Sequence, residues 1–441
     1  MQPKLFSKSN YYGKRGARSM ERNKFIFKEV SGNPAEIGKE VGKNFSKEIK
    51  RTLESFNFIF THDFSKSWQW LKEFSKDNFL HVIDARIRQE MDGIVDGYNS
   101  VSNTKINFED ILALNVSFDA DSFLAMGNAR NNGSCTSFVA TGDNTVNRDV
   151  ILAHTTWWRY FTGVNFNLML KVVPDEGYSF AMQTAPGLVF SGTDFYYNEK
   201  GIMASETTLD GINTYSLKGT PIFQRLRLAI QYADSIDSFS KHIIDGNTGG
   251  YANDYILGDG KSKEIGLLEI ATFNHVLIKK NNGFIPSSNF VQFPEVRKES
   301  NIVYDQTINS DNSRLYRLND LMKDRGLSVD TYKEILADHF DYDSKKNRPG
   351  KNSICGHREI EPNLDVFDKK GPFFPFGAID GKIVSGDGAL KGESYVKWGK
   401  PCSDEFDSKK FLANHPEYIW TKDFLEDVQS GEWQFLEHGW Q

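Results

Sequence analysis

Cys135 is one of three cysteines in a chain of 441 residues, and it closes the stretch "NNGSC". Two small residues, Gly133 and Ser134, precede it, and a run with strand texture, "CTSFVATG", begins at it. A thiolate attacks a carbonyl carbon well and needs less activation than a hydroxyl. Two bases are open to it. One is His154 in "ILAHTTWW". The intervening "GDNTVNRD" predicts a hairpin between residues 135–141 and 150–156. A symmetric register sets Ser137 opposite His154 and Cys135 opposite Thr156, so Cys135 and His154 share a face as diagonal neighbours. The other base is the α-amino group that Cys135 would carry if the Ser134–Cys135 bond were cut. Its ordinary pKa of about 7.7–8.0 suits proton transfer near neutral pH. The same thiol could make the cut by attacking the Ser134 carbonyl, and small residues at 133 and 134 permit the tight turn this needs. A plainer alternative stays open: a cysteine at a strand start also serves as a small buried hydrophobe, and a strand histidine as a structural residue.

Elements that would position these groups can be read from periodicity. Residues 33–60 predict a helix, with Asn33, Pro34 and Glu36 as cap, first-turn proline and acidic third position. Ile37, Val41, Phe45, Ile49 and Leu53 follow on one face. Residues 78–98 repeat the pattern through Ile83, Ile87, Met91, Ile94 and Tyr98, and "NFEDILALNVSF" starts a third helix at Asn107. From Cys135 the texture changes to short β-rich runs: "CTSFVATG", "DVILAHTTW", "NFNLMLKVV", "YSFAMQTA", "GLVFSG" and "DFYYNEKGIMASETTL". Turn residues between them predict an antiparallel meander. Helical patterns return in "PIFQRLRLAIQYADSIDSFSKHII", "SRLYRLNDLMKDRG" and "DTYKEILADHF", with strands "NDYILGDG", "EIGLLEI" and "HVLIKK" between. The last 90 residues read as mostly irregular. The expected division is a flexible tail over 1–24, a mostly helical segment over 25–134 and a catalytic segment over 135–441. The two larger segments form one α+β body.

Composition excludes several classes. A net charge of −6, from 53 basic and 59 acidic residues, disfavours a nucleic-acid partner. No apolar run approaches the roughly 18 residues of a membrane span. Three cysteines are too few for a disulfide scaffold, and no Cys-x-x-Cys or His-x-x-x-His pattern suggests a metal. No metal or cofactor is therefore expected, and Cys355 and Cys402 read as structural. The basic N-terminus has no apolar stretch behind it, so no signal peptide is visible. The expected compartment is the cytoplasm if the sequence is complete, and a secreted or lysosomal one if a signal has been removed. The oligomeric state is not readable.

Several motifs in one order resemble the phospholipase B-like family and the related penicillin acyltransferase-type family, both autoproteolytic acyl hydrolases of the N-terminal-nucleophile (Ntn) class. "GSCTSF" is similar to the acyltransferase-type cleavage site, and "ILAHTTWWRY" to a His-x-x-Trp strand holding His154 and Trp157. "LVFSGTDFYYNEKGIMASETTL" is similar to paired strands ending at Glu206, Thr207 and Thr208. "GGYANDYILGD" holds Asn253, "SRLYRLNDLM" holds Arg314 and Arg317, and "NSICGHREIEP" and "GAIDGKIVS" resemble late blocks, the second with Asp380. Upstream, "RQEMDGIVDGYNSVSNTKINFEDILALN" is similar to the helical segment before the cleavage site. The resemblance implies a four-layer αββα sandwich with antiparallel sheets, self-cleavage between Ser134 and Cys135, and hydrolysis of an acyl amide or ester in a small-molecule or lipid substrate. It makes Cys135 the nucleophile and its freed amine the base, and offers the Asn253 amide to an oxyanion. His154 and Trp157 would shape the pocket, Thr207 and Thr208 would hydrogen-bond near it, and Arg314 or Arg317 would balance charge or anchor an anionic group. Two other readings stand beside this one: a Cys–His acyl hydrolase without self-cleavage, and an inactive relative that binds lipid or a partner.

Overall fold

The computed structural model describes residues 24–126, 134–302, 309–323, 326–363 and 371–440. The expected tail, apart from Lys24, and Gly133 lie outside the described residues. A short strand, β1 (Ile26–Gly32), leads into five helices: α1 (Pro34–Asn44), α2 (Ser46–Phe64), α3 (Trp68–Phe79), α4 (Ala85–Val101) and α5 (Phe108–Ala125). The single helix expected over 33–60 is two, broken at Phe45. The break leaves the apolar face intact, with Ile37, Val41, Phe45 and Ile49 all buried. Capping boxes form at Asn33 with Glu36 and at Asn107 with Asp110, satisfying orphan amides at both starts.

Two large sheets follow. Among the described residues the first has the order β1-β4-β5-β6-β7-β8-β9-β10. Its strands after β1 are β4 (Leu168–Pro174), β5 (Phe180–Thr184), β6 (Phe195–Asn198), β7 (Ile202–Thr208), β8 (Asn253–Asp259), β9 (Ile265–Ile270) and β10 (His275–Lys280). All its pairings are antiparallel except β1 with β4, which is parallel. The second sheet is built on β2 (Ser134–Thr141) and β3 (Ile151–Arg159), flanked by β11 (Gly283–Ser287) at one edge. On the other side lie β12 (Phe376–Ala378), β13 (Asp380–Ser385), β14 (Glu393–Trp398) and β15 (Gln434–Glu437). Pro286 is tolerated in β11 because an edge strand can spare one amide.

Alternation along the strands makes four layers. Residues such as Val139, Leu152, Met169, Phe195, Met203 and Ile256 form an apolar seam between the sheets. The other face of the first sheet packs on α1 to α5 and on α6 (Ile222–Tyr232) and α7 (Ile236–Ile244). The other face of the second sheet, through Phe138, Ala153 and Ile383, packs on α8 (Ser310–Leu321) and α9 (Val329–Leu336). This is the αββα sandwich the motifs imply. The helical segment before Cys135 and the sheet after it share one core.

Two local expectations differ from what forms. "GLVFSG" is a loop, not a strand, with left-handed glycines at Gly187 (φ 100°) and Gly192 (φ 67°). Its backbone is satisfied by side chains: Asn115 Nδ2 donates to Gly187 O at 3.0 Å, and Val189 N donates to Asn115 Oδ1 at 2.9 Å. The chain's end is less irregular than expected and completes the second sheet. Its strands are short and carry Asp380 and Lys382, which hide the alternation that strand reading depends on.

Candidate active site

The β2–β3 register is the symmetric one: Cys135 pairs with Thr156 and Ser137 with His154. Cys135 is the second residue of β2, buried at 2% exposure, with both backbone polar groups held by side chains. Its N–H donates to Asn289 Oδ1 at 2.9 Å. Its carbonyl accepts from the guanidinium of Arg314. Arg314 is fully buried; it also donates to Thr136 Oγ1 at 3.1 Å, to Asn289 Oδ1 at 2.9 Å and to Asp311 Oδ1 at 3.0 Å. The guanidinium lies 4.5 Å from the ring centroid of Trp157, whose Nε1 donates to Ile354 O at 3.2 Å. Asn289 stands in the left-handed region (φ 72°) just after β11, and its Nδ2 donates to Thr208 O at 2.7 Å. One side chain thus ties the start of β2 to the end of β7.

Charge converges on the thiol from the first sheet and from β13. Burial, followed by the negative charge of Asp194, pushes the Cys135 thiol up to about 12, against which Lys382 pulls it down. Lys382 is itself buried; its Nζ donates to Thr156 Oγ1 at 2.6 Å, to Thr193 O at 3.0 Å and to Asp380 Oδ2 at 3.2 Å. Asp380 also accepts from Thr156 N at 2.9 Å and Gln183 Nε2 at 2.9 Å. Below the thiol, Tyr251 OH lies 2.7 Å from Asp194 Oδ2 and 2.6 Å from Glu206 Oε1. Burial raises both carboxyls, and the neighbouring Asp194 lifts Glu206 further, well above its ordinary range.

The remaining residues singled out in the sequence are spread wider. His154 is fully buried, and burial followed by Lys382 holds its pKa well below the ordinary value. Neither of its ring nitrogens makes a well-formed hydrogen bond, although the Glu206 backbone lies beside it. Asn253 pairs with Thr208 across β7 and β8; its Nδ2 donates to Tyr255 OH at 3.1 Å, and its Oδ1 has no partner among the described residues. Thr207 hydrogen-bonds Ser287. Arg317 turns away and forms a bidentate pair with Asp338 at 3.0 and 2.6 Å. Sequence reading did not single out Asn289, Asp194, Tyr251 or Lys382. The one local signal at Asn289 is asparagine's tolerance of positive φ, which marks many turns equally.

A cleft lined by Phe118, Ser122, Trp158, Thr208, Leu209 and Tyr251 reaches this cluster through Tyr251 and Thr208. It shares Phe118 and Trp158 with an apolar groove along α2, lined by Phe56, Phe60 and Phe64. No helix among the described residues is long and apolar enough to cross a membrane.

The four-layer αββα sandwich with antiparallel sheets is the architecture that the motifs imply, and Cys135 lies buried at the second position of one of its strands. The chain belongs to the phospholipase B family: the model of that family, Phospholipase B, matches residues 35–272. A curated relative, phospholipase B of Crotalus adamanteus, is 24% identical over 285 residues, which cover 57% of this chain and 49% of the relative. The chain thus spans about half the length of that relative. Among solved structures, a mutant conjugated bile acid hydrolase from Clostridium perfringens is 10% identical with a TM-score of 0.36, over 69% of this chain and 97% of that one. A second variant of the same hydrolase is 11% identical with a TM-score of 0.30, over 70% and 90%.

Proposed function

We propose that the protein is a self-processing cysteine hydrolase that cleaves an acyl amide or carboxylic ester, as a member of the phospholipase B family. The observation that carries this reading is the grip on Cys135: Asn289 holds its nitrogen and Arg314 its carbonyl, at the start of a central strand. Those are the two backbone groups that must stay in place when the bond before them breaks. In processing, Cys135 Sγ attacks the Ser134 carbonyl carbon, a C–S bond forms, the C–N bond breaks, and the thiol proton passes to the departing nitrogen. Water hydrolyses the thioester, releasing a Ser134 carboxylate and restoring the thiol beside a free amine. In turnover, that amine accepts the thiol proton as Sγ attacks the substrate carbonyl, then returns it to the leaving group. Water completes the cycle. Asn289 is placed to accept a hydrogen bond from the amine in both stages. Backbone amides and Asn253 are the donors offered to the oxyanion.

The cleft beside Tyr251 and the groove along α2 supply apolar walls for an acyl chain, which favours a substrate with a long apolar group. His154 would shape the site from the same sheet face rather than act as the base, because burial and Lys382 lower its basicity and neither ring nitrogen has a well-formed hydrogen-bond partner among the described residues.

Denaturing mass spectrometry tests the proposal. Wild-type protein is expected as two fragments, one ending at Ser134 and one beginning at Cys135, while Cys135→Ala stays whole at 50.2 kDa. An intact wild type that hydrolyses acyl substrates would sink self-processing and favour Cys–His chemistry. Intact chain that is inert toward N-acyl amino acids, N-acylethanolamines and phospholipids alike would favour a binding relative.

A further inference from the structure

Away from Cys135, the fold brings His339, Cys355, His357 and Cys402 together, with one donor atom from each lying within 4.8 Å of all the others. His339 Nε2 and His357 Nε2 are 3.1 Å apart, and His357 Nε2 is 3.7 Å from Cys355 Sγ and 3.4 Å from Cys402 Sγ. Tetrahedral zinc, with bonds of about 2.0–2.1 Å to nitrogen and about 2.3 Å to sulfur, sets such ligands roughly 3.3–3.8 Å apart. We propose that these four side chains form a structural zinc site.

The chemistry of the surroundings supports a cation at the centre. His357 Nδ1 is 3.2 Å from Glu359 Oε1, so the ring donates there and leaves the Nε2 lone pair facing the other three donors. Glu359 is fixed in turn by the Tyr160 hydroxyl at 2.8 Å and by Lys400. A carboxylate behind a ligating histidine is the usual device for fixing its tautomer. Two imidazole nitrogens and two sulfurs converge on one point, and the thiols release their protons to solvent as a cation binds. Two thiolates with two imidazoles in a tetrahedral set select zinc over harder cations. Four protein ligands close the coordination sphere, which is the pattern of a structural site rather than a catalytic one.

The site would join three segments far apart in sequence. His339 follows α9, Cys355 and His357 sit on one loop, and Cys402 follows β14. That loop backs β3 at Trp157. A Cβ on Gly356 would fall 2.3 Å from the Trp157 ring, and Ile354 O accepts from Trp157 Nε1. Trp157 carries the Arg314 guanidinium that holds the Cys135 carbonyl. Zinc would thus fix the platform on which the grip on Cys135 rests, and it would do so whether or not the chain cleaves itself.

The test is metal analysis of full-length protein purified without chelators. Wild type and Cys135→Ala are expected to carry about one zinc per chain, with Cys402→Ser and His357→Gln losing most of it. Should those variants fail to fold, replacing the wild-type metal with cobalt(II) is expected to give the intense visible bands of a tetrahedral site and thiolate-to-cobalt charge transfer. A reduced wild type that binds neither zinc nor cobalt, a weak octahedral cobalt spectrum, or a mapped Cys355–Cys402 disulfide in freshly purified protein would each overturn the proposal.

Discussion

At the residue scale, His154 and the Glu206–Asp194 pair bring opposite pH dependences. His154 is held neutral in the folded chain, while the unfolded chain protonates it below about pH 6.5. The unfolded state then binds the extra proton, so stability present above that pH is lost as pH falls, by up to about 1.4 kcal/mol per unit. His154→Gln should flatten urea-derived stability between about pH 5 and 7. Glu206 and Asp194 behave in reverse, because their folded pKa values are raised. Their contribution is present below the unfolded carboxyl range and fades as pH rises through the folded values. Glu206→Gln keeps the shape and the neutral charge, and should reduce the loss of stability on the alkaline side. Glu206→Ala, which leaves Tyr251 short of a partner, should cost about 1–3 kcal/mol at every pH. At Asn289, replacement by Gly keeps the left-handed backbone and deletes the amide. It should slow fragment formation at least tenfold on a gel time course, whereas processing at the wild-type rate would remove Asn289 from the mechanism.

At the element scale, the contact between α1 and α4 is made by backbone. A Cβ added to Gly38 would meet Glu90 O at 1.9 Å, and one on Gly42 would meet Ile94 O at 2.1 Å. From the other helix, Gly93 and Gly97 stand as close to Ala35 O and Lys39 O, at 2.4 and 2.2 Å. These are main-chain atoms of packed helices and cannot swing aside. Gly42→Ala or Gly93→Ala should therefore cost about 1–3 kcal/mol in thermal or urea unfolding, even though alanine is the better helix former. The buried Arg227–Glu90 pair, at 2.7 Å, then ties α4 to α6.

At the scale of the whole molecule, a cut before Cys135 would not release the helical segment. β1 pairs with β4 along seven residues from Ile26 to Gly32, and α1 to α5 share one core with the first sheet. The two fragments should elute together on size exclusion and separate only in denaturant. Elution as separate species in native buffer would contradict the shared core. The cut would change the chemistry at two residues, Ser134 and Cys135, and leave the four layers standing.

Amphipathic periodicity, capping and hairpin chemistry are local, so the sequence by itself determined the helices around Ile37, Met91 and Asn107. The β2–β3 hairpin was legible too, from its turn residues, and the symmetric register that sets Ser137 against His154 is the one that forms. Both strands are buried on both faces, so alternation alone would equally allow a shift of two residues. The terminal strands were hidden by their length and by Asp380 and Lys382, whose burial makes sense only once each has the other as partner. Tertiary structure alone decided the rest of the site. Asn289 and Arg314 reach Cys135 across more than 150 residues, Tyr251 joins Asp194 to Glu206, and His339, Cys355, His357 and Cys402 meet across three segments. The reason is physical: periodicity records which face of an element is buried, but not which loops the packing of those faces brings together.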